Sequence, residues 1–332
     1  MSEPAFDFSS LNPNIILDAL QENGIQVESG LIALNSYENR VYQFSNEKKH
    51  RYVVKFYRPQ RWSEAQILEE HQFARDLWQD NIPVSLPLTF ILTFINTTLP
   101  TYKGFYFAVF PWLAGQQYET DNLEQLASVG GWLGRLHNCG RKRVFHVRPV
   151  INFADYIEQS VVVLMQCNLV PASLRKSFAN VLERLTTALQ QYWHTQWLPL
   201  RIHGDCHQGN MLWRERPLFI DLDDARMGLA IQDMWMLISG NHQEQRQQWN
   251  ILLETYQEFS EFDTKELSLI EPLRAMRMVY YLAWVVRRWR DPAFPANFCW
   301  MTDEDFWQRQ IVLFTEQERI LHERPLQLIS QY

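Results

Sequence analysis

Cysteine is scarce in this chain: 4 among 332 residues, at Cys139, Cys167, Cys206 and Cys299. They stand singly, with no CxxC pair and no framework of spacings, which excludes a disulfide scaffold and points to a reducing compartment. A cationic surplus is missing as well. The 31 Lys and Arg face 38 Asp and Glu, for a net charge of −7, whereas a nucleic-acid binder presents a basic face. No apolar run has membrane length; the one around Val279–Val286 falls far short of the roughly 20 residues that cross a bilayer. The opening MSEPAFDFSS has neither the basic nor the apolar segment of a secretory signal. Glycine is thin, at 12 residues, beside 13 Trp, 13 Tyr and 20 Phe, which is a globular and not a disordered or fibrous composition. The expectation is a cytoplasmic, monomeric protein of one or two domains, with no nucleic-acid or membrane partner.

What is present falls into two regions. In the first 110 residues, LNPNIILDALQENG reads as a short amphipathic helix stopped by Gly24. GLIALNS, NRVYQF and RYVVKFY are runs of β-formers, the last two joined by the polar turn SNEKKH. A helix follows from Ser63, with Gln66 completing a capping box, and LTFILTF and GFYFAVF read as further strands. After Gly115 helix-like periodicity dominates, in SVGGWLGRLHN, in residues 151–196 and across most of 228–324, interrupted by strand and loop signals near 203–224. The PWLAG break is short, so two lobes packed on each other are expected.

The interruption holds the densest cluster of reactive residue types, RIHGDCHQGNML, followed by FIDLDDARMG. His203, Cys206 and His207 lack the paired-ligand spacing of structural zinc, and HExxH is absent. Nothing in the sequence supplies the base and electropositive setting that a nucleophilic Cys206 needs. A longer spacing is more telling. Asp205 and Asn210 are five apart, and Asp221 lies eleven residues further, directly after the strand-like LFI. This is the layout H-x-D-x-x-x-x-N, then a metal-binding Asp, of a kinase catalytic loop. A hydroxyl attacking a phosphoryl group needs a carboxylate to orient it and take its proton, and Mg²⁺ prefers oxygen ligands such as Asn and Asp.

The first region supplies the complement. Lys55 sits mid-strand on the face of Val53 and Tyr57, either as an edge gatekeeper or as a phosphate-binding lysine held by a helix Glu. On the next helix Glu70 falls in the stripe of Ile67, Ala74, Leu77 and Trp78 while Glu69 faces away, so Glu70 is the expected partner of Lys55.

Lys55, Glu70, HGDCHQGN and IDLDD together resemble the aminoglycoside phosphotransferase and choline kinase branch of the protein-kinase-like fold. Within it, ALNSYENRVYQF, VVKFYRP, GFYFAVFP, RAMRMVYYLAW and PLQLISQY are similar, nearly end to end, to a bacterial group of Ser/Thr protein kinases of the stress response. The resemblance implies an α+β bilobal fold: a small antiparallel-sheet lobe at 1–110, a hinge at 111–115 and a larger, mainly helical lobe at 116–332, with ATP between them. It implies Asp205 as the catalytic carboxylate, Asn210 and Asp221 as Mg²⁺ ligands, Lys55 on the α- and β-phosphates, and His203 and Asp233 bracing the loop from behind. The acceptor would be a Ser or Thr hydroxyl on a protein, itself included; the alternatives are a sugar, amino-alcohol or aminoglycoside kinase, and a nucleotide-binding scaffold without turnover.

Local chemistry refines this. Pro111 has a carbonyl but no N–H, so it can accept from adenine while the Leu113 N–H donates and Phe110 lines the pocket; a plain strand-ending proline is an equal reading. In place of a glycine-rich loop stands Asn35-Ser36-Tyr37-Glu38-Asn39-Arg40. Without glycines the backbone approaches phosphate less closely, so side chains, Ser36 among them, are expected to do more. Gly204 replaces the Arg of H-R-D, Asp-Leu-Asp replaces D-F-G and no A-P-E follows, so control by activation-loop phosphorylation is not expected. Asp223 and Asp224 compete with Asp221 as metal ligand, and Asp221 is preferred because it follows the strand. An acidic stretch, Glu258–Asp263, and the arginines Arg274, Arg277, Arg287 and Arg288 could meet an acceptor, though solvated faces and packed aromatics account for most of them.

Overall fold

The computed structural model describes residues 7–91, 96–119, 121–193 and 197–328. Residues 92–94 of LTFILTF and 329–332 of PLQLISQY lie outside these.

Helix α1 (Pro13–Glu22) starts where the side chain of Asn12 accepts the Ile15 N–H at 3.1 Å, with Pro13 at its first position, and the chain leaves it through Gly24 at φ 80°. Strands β1 (Ile32–Ala33), β2 (Arg40–Ser45), β3 (Arg51–Phe56), β4 (Phe90–Ile91), β5 (Asn96–Thr97), β6 (Thr101–Tyr102) and β7 (Phe105–Pro111) follow. A five-stranded antiparallel sheet runs in the order β1-β2-β3-β7-β6, and β4 pairs with β5 separately. Alternation sorts its faces. Phe44, Val54, Phe56, Phe107 and Val109 form one cluster with Ile16, Ala19 and Leu20 of α1. Phe44, Phe56 and Phe107 are at most 1% exposed, and each contributes on the order of 2 kcal/mol through burial. The opposite face carries Val41, Val53, Lys55 and Phe110.

Helix α2 (Glu64–Gln79) opens on the expected capping box and buries Ile67, Glu70, Phe73, Ala74 and Leu77. Trp78 departs from the expected stripe and is 58% exposed, because it lies one helical step of 100° past Leu77.

The remainder is mainly helical: α3 (Leu123–Arg141), α4 (Gln159–Gln166), α5 (Arg175–Gln190), α6 (His242–Gln257), α7 (Ile270–Arg287), α8 (Ala293–Asn297) and α9 (Glu304–Leu321). Its core is continuous with Phe73, Ala74 and Leu77 of α2, which joins the two regions. Glycines let α3 approach α6 closely: a Cβ on Gly134 would stand 2.5 Å from the Tyr256 carbonyl oxygen. Five short strands interrupt the helices: β8 (Gln116–Gln117), β9 (Leu200–Ile202), β10 (Met211–Arg214), β11 (Arg216–Phe219) and β12 (Arg226–Gly228). Antiparallel β9 and β12 pair Ile202 with Arg226, and β10 and β11 form a hairpin. That pairing fixes the site, since the loop leaving β9 (203–210) and the loop entering β12 (220–225) start from neighbouring strand ends. Among the described residues no helix is long and apolar enough to cross a membrane.

Candidate active site

A cleft of about 800 Å³ opens between the sheet and the helical region. From the sheet side it is lined by Ser36, Lys55, Glu70, Pro111 and Leu113, and from the helical side by Asp205, Asn210 and Asp221. All eight candidate residues therefore meet at one cavity. The acidic stretch Glu258–Asp263 does not line it; the Asp263 carboxylate accepts the Lys265 N–H at 3.0 Å.

The 203–210 loop is held from behind. Asp233, fully buried, accepts the backbone N–H of His203 at 2.7 Å and of Gly204 at 2.8 Å, and its Oδ2 lies 3.1 Å from His137 Nε2. Gly204 has φ 84°, where a Cβ would collide with the Asp224 carbonyl oxygen. His203 Nε2 faces the Ile220 carbonyl oxygen at 2.9 Å, so the proton sits on Nε2, and its Nδ1 is a buried atom without a partner. This bond ties the first loop to the second. Asn210 Nδ2 donates to the Asp205 carbonyl oxygen at 3.0 Å, which leaves the Asn210 amide oxygen free to act as a ligand.

The Asp205 carboxylate accepts from Arg277 Nη1 at 2.6 Å and lies 3.5 Å from His207 Nε2. Burial pushes its carboxyl upward, but His207 and Arg277 outweigh that and hold it below the usual range. Asp205 is thus ionised at neutral pH. His207 therefore touches Asp205, and of the arginines left open between an acceptor and a solvated face, Arg277 lines the cleft. Cys206 is buried, and burial pushes its thiol well above the ordinary value, which removes it as a nucleophile.

The second loop is held through its own carboxylates. Asp221 adopts a left-handed conformation, φ 58° and ψ 64°, which turns its half-exposed carboxylate to Lys55 Nζ at 2.8 Å. Asp223 is buried and meets Lys55 Nζ at 3.3 Å, Asn39 Nδ2 at 3.1 Å and Arg61 Nη1. Asp224 meets Arg61 Nη2 at 2.9 Å and also Arg226. Beneath them the Arg148 guanidinium donates to the carbonyl oxygens of Asp223, Ala225 and Gln66.

The expected Lys55–Glu70 ion pair is not formed. Burial would lower the Lys55 ammonium, but Asp221 and Asp223 hold it well above its ordinary value, and Asp221 takes its hydrogen bond. Glu70 is 3% exposed, with Arg148 Nη1 at 3.9 Å and its Oε2 without a hydrogen-bond partner. Burial raises its carboxyl to about 7. Glu69 faces away, as expected, and accepts the N–H groups of His146, Val147 and Arg148.

Side chains also hold the 35–40 segment where a glycine-rich loop would stand. Glu38 accepts from Trp284 Nε1 and Arg288, and pairs with Arg58. Arg40 pairs with Asp291 at 2.9 Å. The segment is thereby bound to α7 and to the turn before α8.

At the end of β7, Trp112 N–H reaches the Arg51 carbonyl oxygen at 3.0 Å while Tyr52 faces Pro111. This makes Tyr52 and Pro111 a non-hydrogen-bonded pair, in which the ladder needs neither an N–H nor a carbonyl from Pro111. The strand-ending role and a free carbonyl at the cleft are therefore one and the same.

The cleft residues whose partners the sequence did not reveal are arginines, two of which, Arg61 and Arg148, it did not single out at all. Arg61, Arg148 and Arg277 meet carboxylates or carbonyls between 72 and 163 positions away in the chain, and no local pattern marks such a pair.

The description of a phosphotransferase enzyme family matches residues 31–270, and the chain belongs to that family: it is an ATP-dependent phosphotransferase. It is 54% identical over 332 residues, all of both chains, to stress response kinase A of Salmonella paratyphi A. It is equally 54% identical, over the full length of both, to the serine/threonine protein kinase RdoA of Salmonella typhimurium. Among solved structures it resembles amicoumacin kinase hAmiN in complex with AMP-PNP, Ca2+ and Ami, at a TM-score of 0.73 and 19% identity over 95% of both chains. It also resembles a choline kinase from Cryptosporidium parvum Iowa II, at a TM-score of 0.60 and 14% identity over 93% of this chain and 96% of that one. These likenesses establish the bilobal protein-kinase-like fold.

Proposed function

We propose that this kinase transfers the γ-phosphoryl group of ATP to Ser or Thr hydroxyls of proteins, itself included, in a bacterial stress response. The observation that carries the chemistry is Asp205, ionised and held on a loop braced by Asp233 at one cleft with Lys55, Asn210 and Asp221. The protein acceptor rests on the full-length similarity to relatives named stress response kinase A and serine/threonine protein kinase RdoA. The lobes are residues 1–110 and 116–332, with 111–115 between them, and the protein acts as a cytoplasmic monomer.

In this reading the adenine edge donates to the Pro111 carbonyl oxygen and accepts from the Leu113 N–H. Lys55 leaves its carboxylate partners for the α- and β-phosphates, and Glu70, the buried acid beneath it, then balances its charge. The Ser36 hydroxyl donates to a phosphate oxygen. The acceptor hydroxyl donates to Asp205; its oxygen bonds to the γ-phosphorus as the bond to the β-phosphate oxygen breaks, its proton passes to Asp205, and ADP leaves.

Among the described residues no group of three or more His, Cys, Asp or Glu converges on a metal position. The hard-oxygen pair of Asn210 and Asp221 nonetheless suits Mg²⁺, which binds through one or two protein ligands together with substrate phosphates. Bound there, the ion supplies charge neutralisation on the phosphates.

A second reading, transfer to a small-molecule hydroxyl, is favoured by the fold similarity to small-molecule kinases. The test is transfer from γ-labelled ATP with Mg²⁺ to panels of proteins and of amino alcohols, sugars and aminoglycosides, run beside Asp205→Asn. Label on protein with wild type alone is the expected result. Label confined to small molecules, or equal label with the variant, sinks the reading.

A further inference from the structure

We propose that Arg277 forms an anion subsite beside the acceptor position, so that the preferred acceptor carries a carboxylate or phosphate group next to the hydroxyl it presents. This rests on the Ser/Thr kinase reading and adds the chemistry of the acceptor to it.

Arg277 projects from α7 with its side chain 41% exposed, and among the described residues its hydrogen-bond partner is Asp205, through Nη1 alone. A guanidinium has five N–H donors in a planar fork that matches a carboxylate or a phosphate. Arg277 lines the cleft, and among the described residues its other N–H donors have no hydrogen-bond partner. The other acids lining the cleft cannot claim them: Glu38 is held by Arg58, Arg288 and Trp284. Asp223 and Asp224 are held by Arg61, Asp221 pairs with Lys55, and Glu70 is buried. Uncharged Tyr280, Tyr281 and Met276, from the same helix as Arg277, line the cleft with it.

The pairing also has a consequence for transfer. While Arg277 holds Asp205, the guanidinium competes with the acceptor hydroxyl for the same carboxylate oxygen. An anion on the acceptor gives the guanidinium a replacement partner, and Asp205 is then free to accept the hydroxyl hydrogen bond. Arg277 stays protonated throughout, the hydroxyl proton ends on Asp205, and ADP is the leaving group. An acceptor without an anion must either leave the pair closed or leave a charged fork unpartnered, which weakens its productive binding.

The experiment uses the full chain with Mg²⁺, γ-labelled ATP and four matched Ser peptides whose flanks are neutral, Glu, phosphoserine or Lys. Wild type, Arg277→Gln, Arg277→Lys and Arg277→Glu are compared, with ATP affinity confirming that each variant is folded. Wild type should favour the Glu or phosphoserine flank over the neutral one by about tenfold to hundredfold in kcat/KM, the range that one charge-assisted pair supplies. A larger gain with phosphoserine assigns the subsite to phosphate, and an equal or larger gain with Glu assigns it to carboxylate. Arg277→Gln should bring the ratio near one, Arg277→Lys should retain part of it, and Arg277→Glu should shift preference to the Lys flank. Robust phosphorylation of all four peptides at similar kcat/KM, or a wild-type preference that persists in Arg277→Gln, overturns the subsite and leaves the kinase reading standing. Labelling of small molecules and of no peptide or protein overturns both.

Discussion

The two carboxylate loops of the cleft, 203–210 and 221–224, start from neighbouring ends of the β9–β12 pair yet are held in opposite ways. The first is fixed through its backbone: Asp233 takes two of its N–H groups and Gly204 permits the turn. Its own carboxylate, Asp205, is left with partners that a substrate can replace. The second is fixed through its side chains, since Asp223 and Asp224 are locked to Arg61, Arg226 and Lys55. There only Asp221, the half-exposed member, remains available to ligands. A loop braced through its backbone can offer its acid to chemistry, whereas one braced through its acids must keep a separate acid for the task.

This contrast is tested most severely at Asp205. Asp205→Asn should cut phosphoryl transfer about 10²- to 10⁴-fold while ATP affinity and melting temperature hold; single-turnover transfer at wild-type speed ends the argument. Next is the brace itself. Asp233→Ala strands two buried N–H groups and His137, and should cost about 3–5 kcal/mol in denaturant unfolding; an unchanged midpoint would show that the loop is held by other means. The second loop offers a paired comparison. Asp223→Asn should cost about 2–3 kcal/mol because Arg61 and Lys55 lose a buried counter-charge. Asp221→Asn should change stability by less than about 0.5 kcal/mol yet abolish transfer. Equal stability losses in the two variants would erase the distinction between the structural and the ligand acid.

The smallest effect concerns pH. Glu266 accepts the Ile231 N–H at 2.9 Å, two residues before Asp233, and burial raises its carboxyl from 4.5 to about 7. The folded chain therefore holds this proton after the unfolded chain has released it. Its contribution to stability is full below about 4.5 and is lost as pH rises through about 7. Relative to Glu266→Gln, wild type should lose on the order of 3 kcal/mol across that window; parallel stability curves for the two proteins contradict it.

Much of this was legible in the chain. The Ser63–Gln66 box, the β2–β3 turn and the alternation around Lys55 are local, set by side-chain geometry over two to four residues, and the structure has them where expected. The 205/210/221 spacing was legible for a related reason: a loop and a hairpin of fixed length can return these residues to one place in few ways. The partner of Lys55 was not legible. Helix periodicity correctly buried Glu70, but burial does not choose between acids, and the nearer carboxylates of Asp221 and Asp223 won the ammonium group. Arg277 resembled any other cation on an aromatic-rich helix until α7 was packed beside the 203–210 loop.

By itself the sequence determined the elements, the identities of the reactive groups and their order along the chain, because propensity, capping and alternation act over short separations. Only the tertiary structure decided which charges meet. Coulombic and hydrogen-bonding energies depend on distances of a few ångströms, and the arginines that lock Asp223 and Asp224, like the one that sits on Asp205, come within that range only after distant segments have packed.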